Sequence, residues 1–245
     1  MKRKPIETSV RDRVEAVQRR IAEAADRVGR RAEEIRLVGV SKRQPAERVV
    51  AAVLAGVAEL GESYLQEARI KRPEVESLLA RRATRLPRWR MVGHLQRNKA
   101  GQAALLFDAI ESLDRTELAQ ELDRRAGQAG RRLEVLLQVN LSRESQKGGV
   151  APEQIDSLLQ NCASLAHLQM VGLMTVPALD PDPEASRAAF AHLRELRDRL
   201  RRMPGGESLR ELSMGMSGDF EIAIEEGATI VRVGTALFGP RETGA

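Results

Sequence analysis

The chain has 245 residues, of which 42% are hydrophobic and 31% are charged, the composition of an ordinary soluble protein. Its single cysteine, Cys162, excludes an intramolecular disulfide and favours a reducing, cytoplasmic location, and no apolar run approaches the ~18 residues that a membrane span needs. The net charge is +5, but arginines alternate with acidic residues along predicted helices and aromatic residues make up only 2% of the chain, which argues against nucleic-acid binding.

The predicted elements are one N-terminal helix followed by alternating strands and helices. Apolar residues at helical spacing predict the first helix from about 10 to 29, with Gly29 suited to its C-terminal end. Eight short apolar runs then predict strands: "IRLVGV", "VAELGE", "RWRMVGH", "FDAIES", "LEVLLQVN", "LQMVGLMTV", "LRELSMGM" and "TIVRVGTALFG". The runs are continuously apolar rather than alternating, as expected when both faces of a sheet are covered.

Eight strand–helix units are the number that closes a TIM-type (β/α)8 barrel. A doubly wound open sheet has the same order of elements, so the alternation alone leaves both α/β folds open. No change of composition marks a second domain, and we expect a single domain over residues 1–245. In either fold, functional side chains collect at the carboxyl ends of the strands.

Lys42 stands at the first of these strand ends, in "VGVSKRQP". One interpretation is that Lys42 sits in solvent because the strand ends there. The other is that its amine is held to form a Schiff base with an aldehyde. A neutral amine is the attacking species, so such a lysine benefits from desolvation or from a neighbouring cation, and Arg43 is next in the chain.

Glycine and small polar residues follow the last two predicted strands. Gly215, Ser217 and Gly218 precede a short predicted helix, and Gly234 and Thr235 follow the final strand. Small residues let backbone N–H groups approach an anion closely. Two such turns on the last two strands occupy the usual phosphate position of a barrel. The alternative is that the glycines only permit tight turns.

Arg232 interrupts the otherwise apolar strand "TIVRVGT". A charged side chain in a barrel strand needs a partner or a polar cavity. It either ends in a structural ion pair, with Glu62 as one candidate, or contacts a ligand. Together, Lys42, the glycine turns and Arg232 describe a socket for pyridoxal 5'-phosphate (PLP), with an amine for the aldehyde, a cradle for the phosphate and an arginine near the ring nitrogen.

The chain also resembles the pyridoxal-phosphate homeostasis proteins, from about Arg36 to Arg241. The matching stretches are "LVGVSKRQP", "LGESYLQEA", "WRMVGHLQRNK", "SLDR", "VLLQVNLSRESQKGG", "VGLMTV" and "ELSMGMSGDFEIAIEEGATIVRVGTALFGPR". "GHLQRNK" together with "LSMGMSGDFEIAI" is highly specific. One departure is Ser63, where the family pattern has an asparagine; the shorter serine weakens the expectation of a cofactor contact there.

The resemblance implies a single barrel like the N-terminal domain of alanine racemase, which binds PLP through Lys42. It implies that Arg232 faces the pyridine nitrogen and that Asn140 and Met174 lie near the cofactor. It implies phosphate contacts from Ser213, Met214, Ser217, Gly234 and Thr235.

The choice between an enzyme and a carrier depends on a second acid/base group. An arginine at the ring nitrogen keeps that nitrogen unprotonated, which suits simple proton transfer, so a PLP-dependent amino-acid racemase of low activity is the enzyme alternative. Two-base racemisation needs a partner opposite the lysine, and alanine racemases take a tyrosine from a separate domain. This chain ends a few residues after the barrel should close, and its one tyrosine, Tyr64, follows an early strand.

We therefore expect a non-catalytic protein that holds PLP as a Schiff base and takes part in intracellular PLP homeostasis and delivery. The expected partners are PLP and apo-enzymes that accept it, with no nucleic acid, no membrane and no metal. We expect a monomer or a weak homodimer.

Overall fold

The computed structural model describes residues 6–142, 144, 148–178 and 180–239. Its strands are β1 (Arg36–Val40), β2 (Glu59–Glu62), β3 (Arg88–Met91), β4 (Ala109–Leu113), β5 (Leu133–Gln138), β6 (Leu168–Met174), β7 (Glu211–Ser213) and β8 (Ile230–Val233). Its α-helices are α1 (Ile6–Asp26), α2 (Ala46–Leu54), α3 (Leu65–Ala80), α4 (Ala100–Leu106), α5 (Thr116–Gln128), α6 (Ile155–Cys162), α7 (Arg187–Leu200), α8 (Phe220–Glu225) and α9 (Thr235–Phe238). None of these helices combines the length and the apolar character needed to cross a membrane.

The eight strands form a closed parallel barrel. Each strand pairs with its neighbour in the chain, and β8 pairs with β1, where Val38 lies opposite Arg232. The barrel prediction is confirmed, and the doubly wound sheet is excluded because an open sheet would leave two unpaired edges. Each predicted strand is present, since buried parallel strands carry the continuous apolar runs that the sequence shows.

The first helix differs from its prediction at both ends. It spans Ile6–Asp26 rather than 10–29. Gly29 lies beyond it in a turn, where its φ of +68° is in the left-handed region and its amide donates to the carbonyl of Asp26 at 3.0 Å. The buried stripe of α1, which includes Val14 and Ile21, packs on α2, α8 and α9, so the helix covers the outside of the barrel where β8 meets β1.

Apolar side chains fill two separate regions of the molecule. The larger one lies between the strands and the surrounding helices. The smaller one lies inside the barrel and consists of Val38, Leu136, Met174 and Ile230. Side chains two residues apart on a strand share a face, so Arg232 lies next above Ile230, and Val40 next above Val38, towards the carboxyl ends. The apolar cluster therefore lies below Arg232 and Val40, and it shares its level with the buried carboxylate of Glu59, which lies opposite Val38.

Candidate functional site

A cavity of about 430 Å³ opens at the carboxyl ends of the strands. Its volume is in the range of small-molecule sites. Five of the nine predicted cofactor contacts line it: Lys42, Ser217, Arg232, Gly234 and Thr235. They come from the turn after β1, the turn after β7, and β8 with the turn that follows it. Because β1 and β8 are the strands that close the barrel, residues almost 200 positions apart in the chain become neighbours.

Lys42 reaches the cavity because β1 ends at Val40, just below it. The Ser41 amide donates to the carbonyl of Gly61 at 2.9 Å, which extends the pairing of the two strands by one residue. Lys42 follows at the rim, is half-buried and lines the cavity beside Val40. Between the two interpretations of this lysine, its position favours an amine that faces a binding site.

Two backbone amides at the end of β8 converge on one oxygen atom. The N–H groups of Gly234 and Ala236 both donate to Ser217 Oγ, at 3.3 and 3.2 Å. The turn that carries this hydroxyl depends on Gly215, whose φ is +88° and where an added Cβ would lie 2.6 Å from the Cβ of Ala223. Two donors that share one hydroxyl oxygen at the wall of a cavity can also bind an anion oxygen.

The carboxylate of Asp219 lies beside this turn, at the wall of the cavity, and hydrogen bonds hold it in place. Its Oδ1 accepts from the Met216 amide at 2.6 Å, and its Oδ2 accepts from Ser186 Oγ at 3.1 Å. The side chain therefore ties the turn after β7 to the start of the α7 region, and its oxygens are occupied by hydrogen bonds within the protein.

Arg232 is almost completely buried, with 4% of its surface exposed. It donates to Ser213 Oγ at 2.6 Å and to the Thr175 carbonyl at 2.8 Å. Burial lowers the pKa of Arg232, and the Glu111 carboxylate, 4.0 Å away, opposes that shift. Ser213 Oγ in turn donates to Glu111 Oε2 at 2.6 Å, so a serine bridges the arginine and the carboxylate.

The suggested ion pair between Arg232 and Glu62 is wrong. Glu62 pairs instead with Lys71 at 2.7 Å, outside the barrel wall. The register explains the error: Val40 of β1 lies opposite Gly61, so Gly61 shares the inner face and the next residue points outward. The carboxylate near Arg232 is that of Glu111, and the sequence marked it as a charged residue inside the apolar run "FDAIES".

Four residues that the family resemblance implied do not line the cavity. Met174, Ser213 and Met214 are completely buried. Met174 belongs to the apolar cluster inside the barrel, and Ser213 holds Arg232 from behind. The side-chain amide of Asn140 donates to the Glu144 carbonyl at 2.9 Å. Ser213 and Met174 can act on the cavity only through their neighbours.

Several lining residues were not among the predicted contacts. Ser63 lines the cavity despite its short side chain, next to Val92. The loop after β6 also contributes, through Val176 and Asp180 among others. The signal for Ser63, Val92 and Val176 was their position at predicted strand ends, whereas no pattern in the sequence indicated that Asp180, farther along the loop, lines the cavity.

Tyr64, and His94 as a second side chain able to exchange a proton, lie elsewhere. Tyr64 is 51% exposed and precedes α3. The side chain of His94 is 55% exposed and lies 3.8 Å from Asp114. Neither is among the residues that line the cavity.

The chain is similar to a known family model and to curated proteins over nearly its whole length. Residues 13–242 match the family model described as alanine racemase, N-terminal domain. A pyridoxal phosphate homeostasis protein from Pseudomonas aeruginosa is 41% identical over 97% of this chain and 98% of its own length. One from Aquifex aeolicus is 40% identical over 94% of this chain and 98% of its own length.

The chain is also similar to solved structures. PipY from Synechococcus elongatus, with PLP bound, is 37% identical and superposes with a TM-score of 0.78 over 89% of this chain and 100% of that chain. Alanine racemase from Corynebacterium glutamicum, at 15% identity and a TM-score of 0.66, covers 96% of this chain and 63% of that chain, which shows a shared fold.

Proposed function

The chain belongs to the pyridoxal phosphate homeostasis proteins, and from that premise we propose that it binds PLP covalently through Lys42 and serves in PLP homeostasis and delivery. The observation that carries this proposal is one cavity that combines a half-buried lysine, two convergent backbone donors and a buried arginine. The PLP-bound relative, 37% identical, supports the choice of cofactor.

The residues around the cavity fit the cofactor group by group. The amides of Gly234 and Ala236, with the hydroxyl of Ser217, would hold the phosphate. Arg232 would meet the ring nitrogen, since its guanidinium lines the cavity while Ser213 and Thr175 hold it from behind. Met174, Ser213, Met214 and Asn140 would support the site from outside the cavity wall.

Lys42 supplies the covalent step. Its neutral Nζ would attack the aldehyde carbon and form a C=N bond, while the aldehyde oxygen leaves as water. PLP contributes an electrophilic carbon and an electron-withdrawing ring. The protein would contribute the amine of Lys42 and the backbone donors of Gly234 and Ala236.

We propose a carrier rather than a racemase. Two-base racemisation needs an acid/base group opposite the lysine. The exposed positions of Tyr64 and His94 support the carrier, because neither side chain belongs to the cavity wall. Release to an acceptor apo-enzyme needs only a second amine that replaces Lys42 at the same carbon.

The same proposal includes a cytoplasmic, monomeric or weakly dimeric protein with one domain over residues 1–245. Both limits of that domain lie outside the described residues.

The test is reduction of the bound cofactor onto the protein. We expect visible absorbance on mixing with PLP, and borohydride to fix the label on the peptide that contains Lys42. Lys42→Ala should lose the fixed label, whereas Lys99→Ala, at the same end of the barrel, should keep it. A full label on another lysine in the Lys42→Ala protein would refute the assignment.

The racemase alternative is tested with a panel of L-amino acids and chiral chromatography. We expect no D-isomer above the level produced by free PLP. Turnover by the wild-type protein that is lost in Lys42→Ala would overturn the carrier interpretation.

A further inference from the structure

The turn that carries Lys42 has an unfavourable backbone conformation. Arg43, directly after the lysine, has a φ of +59°, in the left-handed region that residues with a side chain rarely adopt. Such a conformation persists only where surrounding contacts hold it, and it is concentrated at functional sites. The contacts that hold this turn therefore bear on where the Lys42 amine stands.

Contacts from α3 hold the turn on both sides of Lys42. Before the lysine, the carbonyl of Ser41 accepts from Lys71 Nζ at 2.6 Å. After it, the amide of Arg43 donates to Glu67 Oε1 at 2.5 Å. Lys71 and Glu67 are themselves paired at 2.6 Å, so the two members of one ion pair hydrogen-bond to the peptide groups on either side of Lys42.

A third residue anchors the pair to the barrel wall. Glu62, at the end of β2, accepts from Lys71 Nζ at 2.7 Å and from the Ser41 hydroxyl at 2.6 Å. Glu62 is completely buried and Lys71 is 6% exposed. We call Glu62, Glu67 and Lys71 the α3 clamp.

Stability alone is a poor explanation for the α3 clamp. Taking charges out of water costs free energy that their attraction often fails to recover, and apolar residues of similar volume can serve as well. Glu62 Oε2, moreover, has no hydrogen-bond partner among the described residues. Burial raises the pKa of Glu62, which reflects the same cost. An arrangement this costly is better explained by what it orients.

We propose that Glu62, Glu67 and Lys71 are positioning residues that fix the Lys42 turn so that the amine meets the aldehyde of PLP. This inference rests on the proposed function. A backbone held on both sides of the lysine fixes the position of its Cα atom before PLP binds. The conformational entropy of the turn is then lost on folding, and less of it is lost on binding. Loss of the clamp should weaken covalent capture and spare the phosphate cradle.

The test compares an aldehyde ligand with its alcohol analogue. Pyridoxine 5'-phosphate has the same ring and phosphate as PLP but cannot react with an amine. Glu67→Met removes the acceptor for the Arg43 amide, and we expect PLP affinity to fall about ten-fold, as for one lost hydrogen bond to a charged group. Affinity for the alcohol should stay within about two-fold, because the clamp touches none of the cradle donors.

Two controls separate positioning from general damage. Glu76→Met breaks an ion pair with Arg72 on the same helix and at the same spacing, with a glutamate about as exposed as Glu67, and should leave PLP affinity unchanged. Glu67→Gln keeps an acceptor oxygen and should restore most of the affinity lost in Glu67→Met. Equal losses for PLP and the alcohol, or no loss for PLP, would overturn the proposal.

An arm without cofactor tests the clamp separately from the proposed function. Hydrogen exchange of the Arg43 amide should accelerate in Glu67→Met and not in Glu76→Met. If the wild-type protein does not form a borohydride-fixed adduct with PLP on Lys42, the proposed function is wrong. If exchange of the Arg43 amide is unchanged in Glu67→Met, the role of the α3 clamp is wrong, whatever the binding measurements give. A double variant, Glu62→Gln with Lys71→Met, removes the rest of the clamp without stranding a buried charge, and it should reproduce the selective loss.

Discussion

Glu111→Gln is expected to destabilise the barrel strongly, because its carboxylate lies between two buried arginines, Arg90 and Arg232. It accepts from Arg90 Nη1 at 3.0 Å, lies 4.0 Å from Arg232 Nη1, and is completely buried. Burial lowers the pKa of Arg90, but the nearby carboxylates of Glu111 and Glu59 outweigh that effect and leave it raised. The cation of Arg90 therefore depends on these neighbours.

The magnitude follows from the partners that remain. Removing one member of a buried ion pair costs about 3–5 kcal/mol. Arg90 keeps Glu59 and a glutamine keeps hydrogen-bonding atoms, so we expect a loss of about 2–4 kcal/mol in the free energy of unfolding. For a chain of this length that corresponds to a fall in Tm of roughly 5–15 °C.

The assay is urea unfolding followed by circular dichroism at neutral pH. The matched control is Glu121→Gln on the surface of α5. Hydrogen bonds from Arg124 and Arg125 lower the pKa of Glu121 to about 2, yet the carboxylate is solvated and its removal should hardly move the midpoint. A Glu111→Gln protein as stable as this control would refute the account of the barrel interior.

Three further predictions concern the turn after β7, the clamp and the cysteine. Gly215→Ala should cost about 2–4 kcal/mol in urea unfolding, since its φ is +88° and the new Cβ would meet Ala223, while Gly218→Ala, with open space around it, should be nearly neutral. Equal effects would contradict the steric argument. Burial raises the pKa of Glu62, so the folded protein holds that proton more tightly than the unfolded chain does. The free energy of unfolding of the wild type, relative to that of Glu62→Gln, should therefore fall as the pH rises from about 4.5 through the raised pKa of Glu62. An increase over this range would contradict the prediction. Burial raises the pKa of the Cys162 thiol to about 11, so a thiol reagent at pH 8 should label it only after unfolding; fast labelling of folded protein would contradict this.

The sequence predicted most of the fold because burial leaves a local signal. Continuous apolar runs marked the eight strands, and their alternation with helices narrowed the fold to two candidates. The ends of α1 differ from the prediction because they were read from its apolar residues and from Gly29. The helix begins before that apolar stripe, and Gly29 ends the turn that follows the helix rather than the helix itself. Closure of the barrel was not in the local pattern, since it depends on hydrogen bonds between β1 and β8.

The candidate site divides in the same way. Lys42 and Arg232 could be named from the sequence because a charged residue ends or interrupts an apolar strand. Ser217, Gly234 and Thr235 could be named because small residues follow the last two strands. The sequence could not show that these residues line one cavity, because the ends of β1 and β8 become neighbours only when the barrel closes.

By itself, then, the sequence determined which segments are strands, which of their residues are apolar enough to be buried, and which side chains are candidates for reactive chemistry. Only the tertiary structure decided which charges pair. Glu62 faces Lys71 and Glu111 faces Arg232, because each inner or outer face is set by strand register. Register is a property of two strands together, and one strand's sequence does not contain it.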